Sequence, residues 1–175
     1  MPATRFQKHS PYRPEDILSM VAGVEAYPEF IPLMTSMRVG KTREISQNIK
    51  EFEAEALISY KFLRESFRSK VRVDKEKLTV SVTKPGNAGA VRSLTNHWKL
   101  YRLSDGSTLI DFDVDVRLKA YPLEVIVRQK FERASEIIMG WFEARADDLF
   151  DPVTGKTPDL QAEYERLGIK PPQSV

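Results

Sequence analysis

Cysteine is absent from the 175 residues, which excludes a disulfide framework, thiolate catalysis and cysteine-ligated metal. Histidine is nearly absent, with His9 and His97 the only two. His97 falls on the polar phase of its strand, opposite to Trp98, and reads as a surface residue. No nucleophile elbow or triad-like sequence occurs, and Gly86 and Gly89 lack the following Lys-Ser/Thr and helix start of a phosphate loop. No run approaches the roughly 18 apolar residues of a membrane-spanning helix. The N-terminal MPATRF lacks the apolar run of a signal peptide and the Arg/Ser-rich amphipathic stretch of a transit peptide. These absences set the expectation of a cytoplasmic protein whose membrane contact, if any, is peripheral. A net charge of +2 is too small to point to nucleic acid, and no DNA partner is expected. An apolar share of 41% and a charged share of 30% suit one soluble domain with a substantial core. Neither an internal repeat nor a low-complexity segment is present.

The most organised stretch runs from Pro122 to Phe150. Steps of about 100° per residue bring Val127, Phe131, Ala134, Ile138, Trp141, Phe142 and Leu149 to one side, so the stretch reads as one amphipathic helix. At about 1.5 Å per residue it spans roughly 40 Å, and its apolar stripe needs a partner as long as a wide sheet. Arg145 falls in the centre of that stripe. A buried arginine requires an acid, a carbonyl or a ligand oxygen. A salt bridge near the helix end is the simpler reading, and ligand contact is the other.

The partner sheet is written in the preceding residues. Residues 4 to 10 read as a short strand carrying Phe6, and Pro14 suits the first position of a helix with Ile17, Leu18, Val21 and Val24 on its apolar face. Tyr27-Pro28 is expected to end that helix, followed by a proline-bracketed turn to Pro32 with a second short helix. The period then changes to two. Phe52, Ala54, Ala56, Ile58, Tyr60 and Phe62 alternate with polar residues, as do Phe67, Val71 and Val73, then Leu78, Val80 and Val82. Trp98 and Leu100 follow, and Ser104 to Ser107 reads as a hairpin turn into Ile110, Phe112, Val114, Val116 and Leu118. The reading is α+β: strand, one or two helices, about six strands, long helix. Residues 151 to 175 look appended, with Thr157 as a cap for a short helix that stops at Gly168 and a disordered end from Lys170.

Asp111, Asp113 and Asp115 imitate a metal motif, but they alternate within a strand and lack the loop glycine of a calcium site. An outer sheet face is the simpler account, with Arg68, Lys70, Arg72 and Lys99 available as partners. Arg64, Arg68, Lys70 and Arg72 form a basic stripe that suits phosphate, on RNA or on lipid headgroups, or merely an ordinary charged face. The inward aromatics Phe52, Tyr60, Phe62, Trp98, Phe112, Phe131, Trp141 and Phe142 either fill a core or line a cavity, and periodicity does not separate the two.

The segment MVAGVEAYPEFIP from Met20 to Pro32 resembles the signature of the ubiquinone-binding protein family, a branch of the START-like, polyketide cyclase superfamily. That family includes the bacterial ribosome-association toxin and the mitochondrial coenzyme Q-binding proteins. Support comes from Glu65 to Val71, Asn96 to Leu100, Asp111 to Val116 and Phe142 to Ala146, so the likeness runs through residues 4 to 150. It implies a helix-grip fold, in which a curved antiparallel sheet of about seven strands wraps the long helix around an apolar tunnel. Residues 1–150 form the lipid-binding domain and 151–175 an extension. It further implies an isoprenoid quinone bound and delivered without catalysis or cofactor, in support of respiration or ubiquinone biosynthesis. Pro28, Glu29 and Phe30 match the family's quinone-associated turn. Phe52, Tyr60, Phe62, Trp98, Phe112, Val127, Phe131, Ile138 and Phe142 are expected to meet the ligand, with Tyr27, Glu29 and Arg145 orienting its headgroup. The alternative on the same fold is a ribosome-binding regulator acting through Arg68, Lys70 and Arg72. A third reading, an aromatase or cyclase, needs acid/base groups inside the cavity. Two departures, Pro32-Leu-Met34 and the stretch 87–91, fall where a tunnel mouth is expected.

Overall fold

Alternating apolar residues become strands, and the 3.6-residue stripe becomes one long helix. The computed structural model describes residues 3–60, 63–86, 89, 91–119 and 121–171. In chain order the elements are β1 (Ala3–Ser10), α1 (Pro14–Ala22), a 3-10 turn (Val24–Ala26), α2 (Tyr27–Phe30), β2 (Met34–Val39) and β3 (Arg43–Glu44). They continue with β4 (Ile49–Tyr60), β5 (Leu63–Asp74), β6 (Thr79–Thr83), β7 (Val91–Arg102), β8 (Thr108–Leu118), α3 (Tyr121–Leu149) and α4 (Leu160–Leu167).

The eight strands form one sheet in the order β1-β8-β7-β6-β5-β4-β2, with the two-residue β3 pairing β4 off that path. All pairings are antiparallel; short connections join β4 to β5, β5 to β6 and β7 to β8, whereas β1 reaches β8 from the other end of the chain. Registers pair Phe6 with Phe112, Phe112 with Trp98, Trp98 with Val80, and Val71 with both Phe52 and Val82, so the inward rows coincide across strands. The strand β6 is short. It covers only Lys70 to Asp74 of β5 and Thr79-paired Lys99 to Thr95 of β7, so the remaining lengths of β5 and β7 run past its end.

Four local expectations are corrected. The first helix ends at Ala22 before Gly23, and Tyr27-Pro28 opens α2 instead of closing α1. Pro28 sits in the first turn, where a missing N–H removes no helical bond. Leu78 lies before β6, not within it, in a turn with φ 56. That turn is held by Asp74 Oδ1, which accepts from the N–H groups of Glu76 at 3.0 Å and Lys77 at 2.9 Å. Among the described side chains of α3 the buried row is Ser135, Met139, Phe142 and Ala146, whereas Ala134 and Leu149 are exposed. Ser135 donates its hydroxyl to the Phe131 carbonyl at 2.9 Å, so the helix buries it at little cost, a contribution an apolar wheel does not count. The cap of α4 is Asp159, which accepts from Ala162 N–H, and not Thr157; Gly168, at φ 68, ends the helix as expected.

Residues after α3 fold back on the hairpin between β7 and β8. The carboxylate of Glu163, 7% exposed, accepts from Ser104 N–H at 3.2 Å and from Arg166 Nε at 2.8 Å. Val153 N–H donates to the Pro11 carbonyl at 2.8 Å, and Phe150 packs on Tyr12. The Tyr12 hydroxyl donates to Asp147, a bond that together with burial pushes the phenol up to about 12.

Candidate functional site

Between the sheet and α3 lies a cavity of about 270 Å³, near the lower end of the roughly 300–1,000 Å³ range of small-molecule pockets. Its floor is the inward face of β4, β5, β7 and β8, including Ala54, Ala56, Phe67, Ser69, Val71, Leu94, Asn96, Val114 and Val116. Its roof is Phe131, Ser135, Ile138 and Phe142 of α3, and one end is closed by Val24, Tyr27 and Ile31 around α2. The lining is almost wholly apolar because alternation sends every second strand residue inward. Among the described residues, the lining carries no Asp, Glu, His, Lys or Arg.

Of the residues singled out from sequence, Tyr27, Trp98, Phe112, Phe131, Ile138 and Phe142 line this space. Five rings cluster at this end, four of them lining the cavity and Phe30 behind them. Trp98 meets Phe142 with centroids 5.0 Å apart, Phe142 meets Tyr27 at 5.2 Å and Phe30 at 5.2 Å, and Trp98 meets Phe112 at 4.7 Å. These edge-to-face contacts suit aromatic quadrupoles. The Tyr27 hydroxyl donates to the Val21 carbonyl, and burial holds its phenol well above the ordinary value. Phe52 is 6% exposed but belongs to the solid core and does not line the cavity. Phe62 lies outside the described residues, as do the side chains of Tyr60 and Val127.

The expectation for Glu29 and Arg145 is redirected. Arg145 Nη2 lies 2.7 Å from Glu29 Oε2, with side-chain exposures of 23% and 64%, so the pair sits toward solvent. The guanidinium also rests 5.3 Å from the Phe30 ring centroid. Glu29, Pro28, Phe30 and Arg145 are therefore not in the cavity lining; Glu29 and Phe30 meet Arg145 and so fasten α2 to α3 outside it. Sequence reasoning missed Ala54, Ala56, Ser69, Asn96 and Ser135 as lining residues. The available signal was two alanines at consecutive inward positions of a strand whose other inward residues are large.

On the outer face of the sheet several charged residues pair with one another. Asp111, 6% exposed, accepts from Arg5 at 3.0 and 2.7 Å and from Gln7 at 3.3 Å, so its partner is β1 and not the four basic residues proposed from sequence. Lys99 reaches the Lys77 carbonyl instead. Arg68 pairs with Glu55 at 3.2 Å, and Lys70 and Arg72 both meet Glu51, at 3.2 and 2.9 Å. His97 is half-buried, with Nδ1 2.9 Å from Ser81 Oγ. Burial raises the Asp113 carboxyl above its usual range, and the nearby His97 only partly opposes that. His9 Nε2 lies 2.9 Å from Ser107 Oγ, whose own proton goes to Asp105 at 2.5 Å. This orders the three residues with serine in the middle, the wrong arrangement for a base-activated nucleophile, and Ser107 is fully buried. Among the described residues, no group of three or more His, Asp or Glu side chains is placed to hold a metal ion, and no helix is long and apolar enough to cross a membrane.

Residues 10–139 match the family model described as polyketide cyclase / dehydrase and lipid transport. The chain is 30% identical over 142 residues to the coenzyme Q-binding protein coq10, mitochondrial, of Schizosaccharomyces pombe, covering 79% of this chain and 84% of that one. It is 25% identical over 140 residues to the ribosome association toxin RatA of Rickettsia prowazekii, covering 79% and 92%. Among solved structures, the 18 kDa protein CC1736 of Caulobacter crescentus superposes with a TM-score of 0.70 at 30% identity, covering 85% of this chain and 98% of that one. A START superfamily protein from Mycobacterium smegmatis also gives 0.70, at 17% identity, with 85% and 99% covered, and that likeness speaks to the fold.

Proposed function

This chain belongs to the polyketide cyclase / dehydrase and lipid transport family, and from that premise we propose that its cavity binds ubiquinone or a related isoprenoid lipid and delivers it unchanged. The observation that carries the reading is the apolar hollow of about 270 Å³ between sheet and α3, in a chain 30% identical to a protein named for coenzyme Q binding. The lining favours holding over reacting. It offers hydroxyls, one amide and apolar groups, and among the described residues no carboxylate, imidazole or amine to move a proton. Energetics suit a carrier. Each buried CH₂ is worth about 0.8 kcal/mol, and a bilayer offers the tail nearly the same, so exchange with a membrane is close to balanced.

In this reading residues 1–150 form the lipid-binding unit and 151–175 an extension, of which α4 packs on the β7–β8 hairpin. The protein works in the cytoplasm at the inner membrane surface, supporting respiration or ubiquinone biosynthesis without catalysing a reaction. Titration of the delipidated protein with decylubiquinone tests this through the fluorescence of Trp98, which is 3% exposed and lines the cavity. Saturable quenching is expected, and its absence counts against the reading.

A second reading has the likeness to the ribosome association toxin behind it. It would act through Arg68, Lys70 and Arg72, but Glu55 pairs with Arg68, and Glu51 is shared by Lys70 and Arg72, which leaves this stripe about one net positive charge. It predicts cosedimentation with ribosomal subunits that weakens steeply with salt and disappears in an Arg68→Glu, Arg72→Glu double variant.

A further inference from the structure

Among the described residues, every polar side chain lining the cavity is satisfied within the protein, with one exception. Tyr27 donates to the Val21 carbonyl. Trp98 Nε1–H donates to Asn96 Oδ1 at 2.9 Å, and Asn96 Nδ2 donates to the Asp113 carbonyl at 2.9 Å. Ser135 donates to the Phe131 carbonyl at 2.9 Å. Ser69 reaches only the Ala54 carbonyl, at 3.5 Å, the limit at which a hydroxyl bond has lost most of its strength. Ser69 is nonetheless only 6% exposed. A buried hydroxyl is rarely left so poorly partnered, because water no longer substitutes for the missing acceptor.

Its surroundings suit a ligand. Ser69 stands opposite Ala54 in the register of β4 and β5, and beside Ala56 across from Phe67, on the part of β5 that runs past the end of β6. Ala54 and Ala56 are each 2% exposed, so small side chains leave the floor low beside the weakly held hydroxyl. We propose that Ser69 is the headgroup anchor: its hydroxyl donates to an acceptor oxygen, a ring carbonyl or ether, of an apolar ligand lying against Ala54 and Ala56. Polar recognition thus sits inside the cavity, and the Glu29–Arg145 pair takes no part in it. This assignment rests on the lipid-binding reading above and narrows its ligand class to molecules with an acceptor oxygen on an otherwise apolar frame.

The test measures displacement of bound anilinonaphthalene sulfonate by decylubiquinone, undecanone and undecane, in the full chain and in Ser69→Ala, which removes the hydroxyl and little volume. The wild type is expected to prefer undecanone to undecane. Ser69→Ala is expected to weaken decylubiquinone and undecanone about fivefold to tenfold, the loss of one net hydrogen bond, and to leave undecane and the melting temperature unchanged. Equal weakening of undecanone and undecane, or no weakening of undecanone, overturns the anchor. Quinone binding that ignores Ser69 overturns the anchor and keeps the quinone reading. A Ser69-dependent preference for undecanone without quinone binding keeps the anchor and removes the quinone. Failure of all three probes to displace the dye overturns both.

Discussion

The two ends of the space between sheet and α3 begin from the same alternating pattern and finish differently. Under α1, the inward residues Phe52, Val73, Val80, Leu100 and Ile110 meet Ile17, Leu18 and Val21, and none of these is more than 6% exposed. Past the end of β6, the inward residues are Ala54, Ala56, Ser69, Leu94 and Val116, and the facing part of α3 brings Phe131, Ser135 and Ile138. One end is solid and the other is hollow. The difference teaches that period decides which side chains face inward, while side-chain size, strand length and the helix overhead decide whether the inside is filled.

That contrast breaks first at the solid end. Leu100→Ala is expected to cost about 2–5 kcal/mol in urea unfolding, because its neighbours are too well packed to collapse into the gap. Ile138→Ala, beside space already open, is expected to cost less than half as much. Comparable losses would mean that the hollow end is packed in solution.

Ala56→Phe sharpens the comparison in the other direction. In a filled core an enlarged side chain costs about 1–3 kcal/mol; here it enters open space and is expected to shift stability by less than about 1 kcal/mol, while lowering affinity for decylubiquinone more than tenfold. Unaltered affinity in calorimetric titration would locate the ligand elsewhere.

Arg145→Met removes a partly exposed ion pair and a cation–π contact that fasten α2 to α3. Screening by solvent limits the expected loss to about 1 kcal/mol or less, and quinone affinity is expected to stay within about twofold, since neither Arg145 nor Glu29 lines the cavity. A larger affinity loss would return the headgroup to that pair.

The smallest effect is a pH slope. Burial holds the His9 imidazole below its ordinary value, with Asp105 opposing. On acidification the unfolded chain takes up this proton before the folded one, so stability falls as pH drops through about 6.5, the unfolded value. His9→Gln is expected to flatten that part of the stability curve in denaturant titrations between neutral and mildly acidic pH.

The long helix, the alternating strands and the inward rows were legible because burial on one face imposes a period that survives in the sequence. The α+β helix-grip order and the family were readable from the same segments, including YPEF at Tyr27 to Phe30. The partner of Asp111 was not, because register between β1 and β8 is set by distant residues and Arg5 is remote in sequence. Arg145 illustrates a half-legible residue. Its place in the stripe demanded an oxygen partner, but only three dimensions identify Glu29 as that partner. Ser135 and Ser69 were not picked out as cavity residues: the phase of Phe67, Val71 and Val73 places Ser69 inward, but a hydrophobic wheel or a count of apolar residues passes over a serine. The row Ser135, Met139, Phe142 and Ala146 shows how a back-bonded hydroxyl and a small methyl let the helix turn a different side to the sheet than its largest residues suggest.

The most direct test of the hollow end as a lipid site is mass spectrometry of apolar molecules extracted from protein purified without detergent, for the natural chain and for Ala56→Phe in parallel. The account predicts an isoprenoid quinone released from the natural chain and lost from the variant. Extracts free of any apolar lipid, or an equal yield from both proteins, would contradict it.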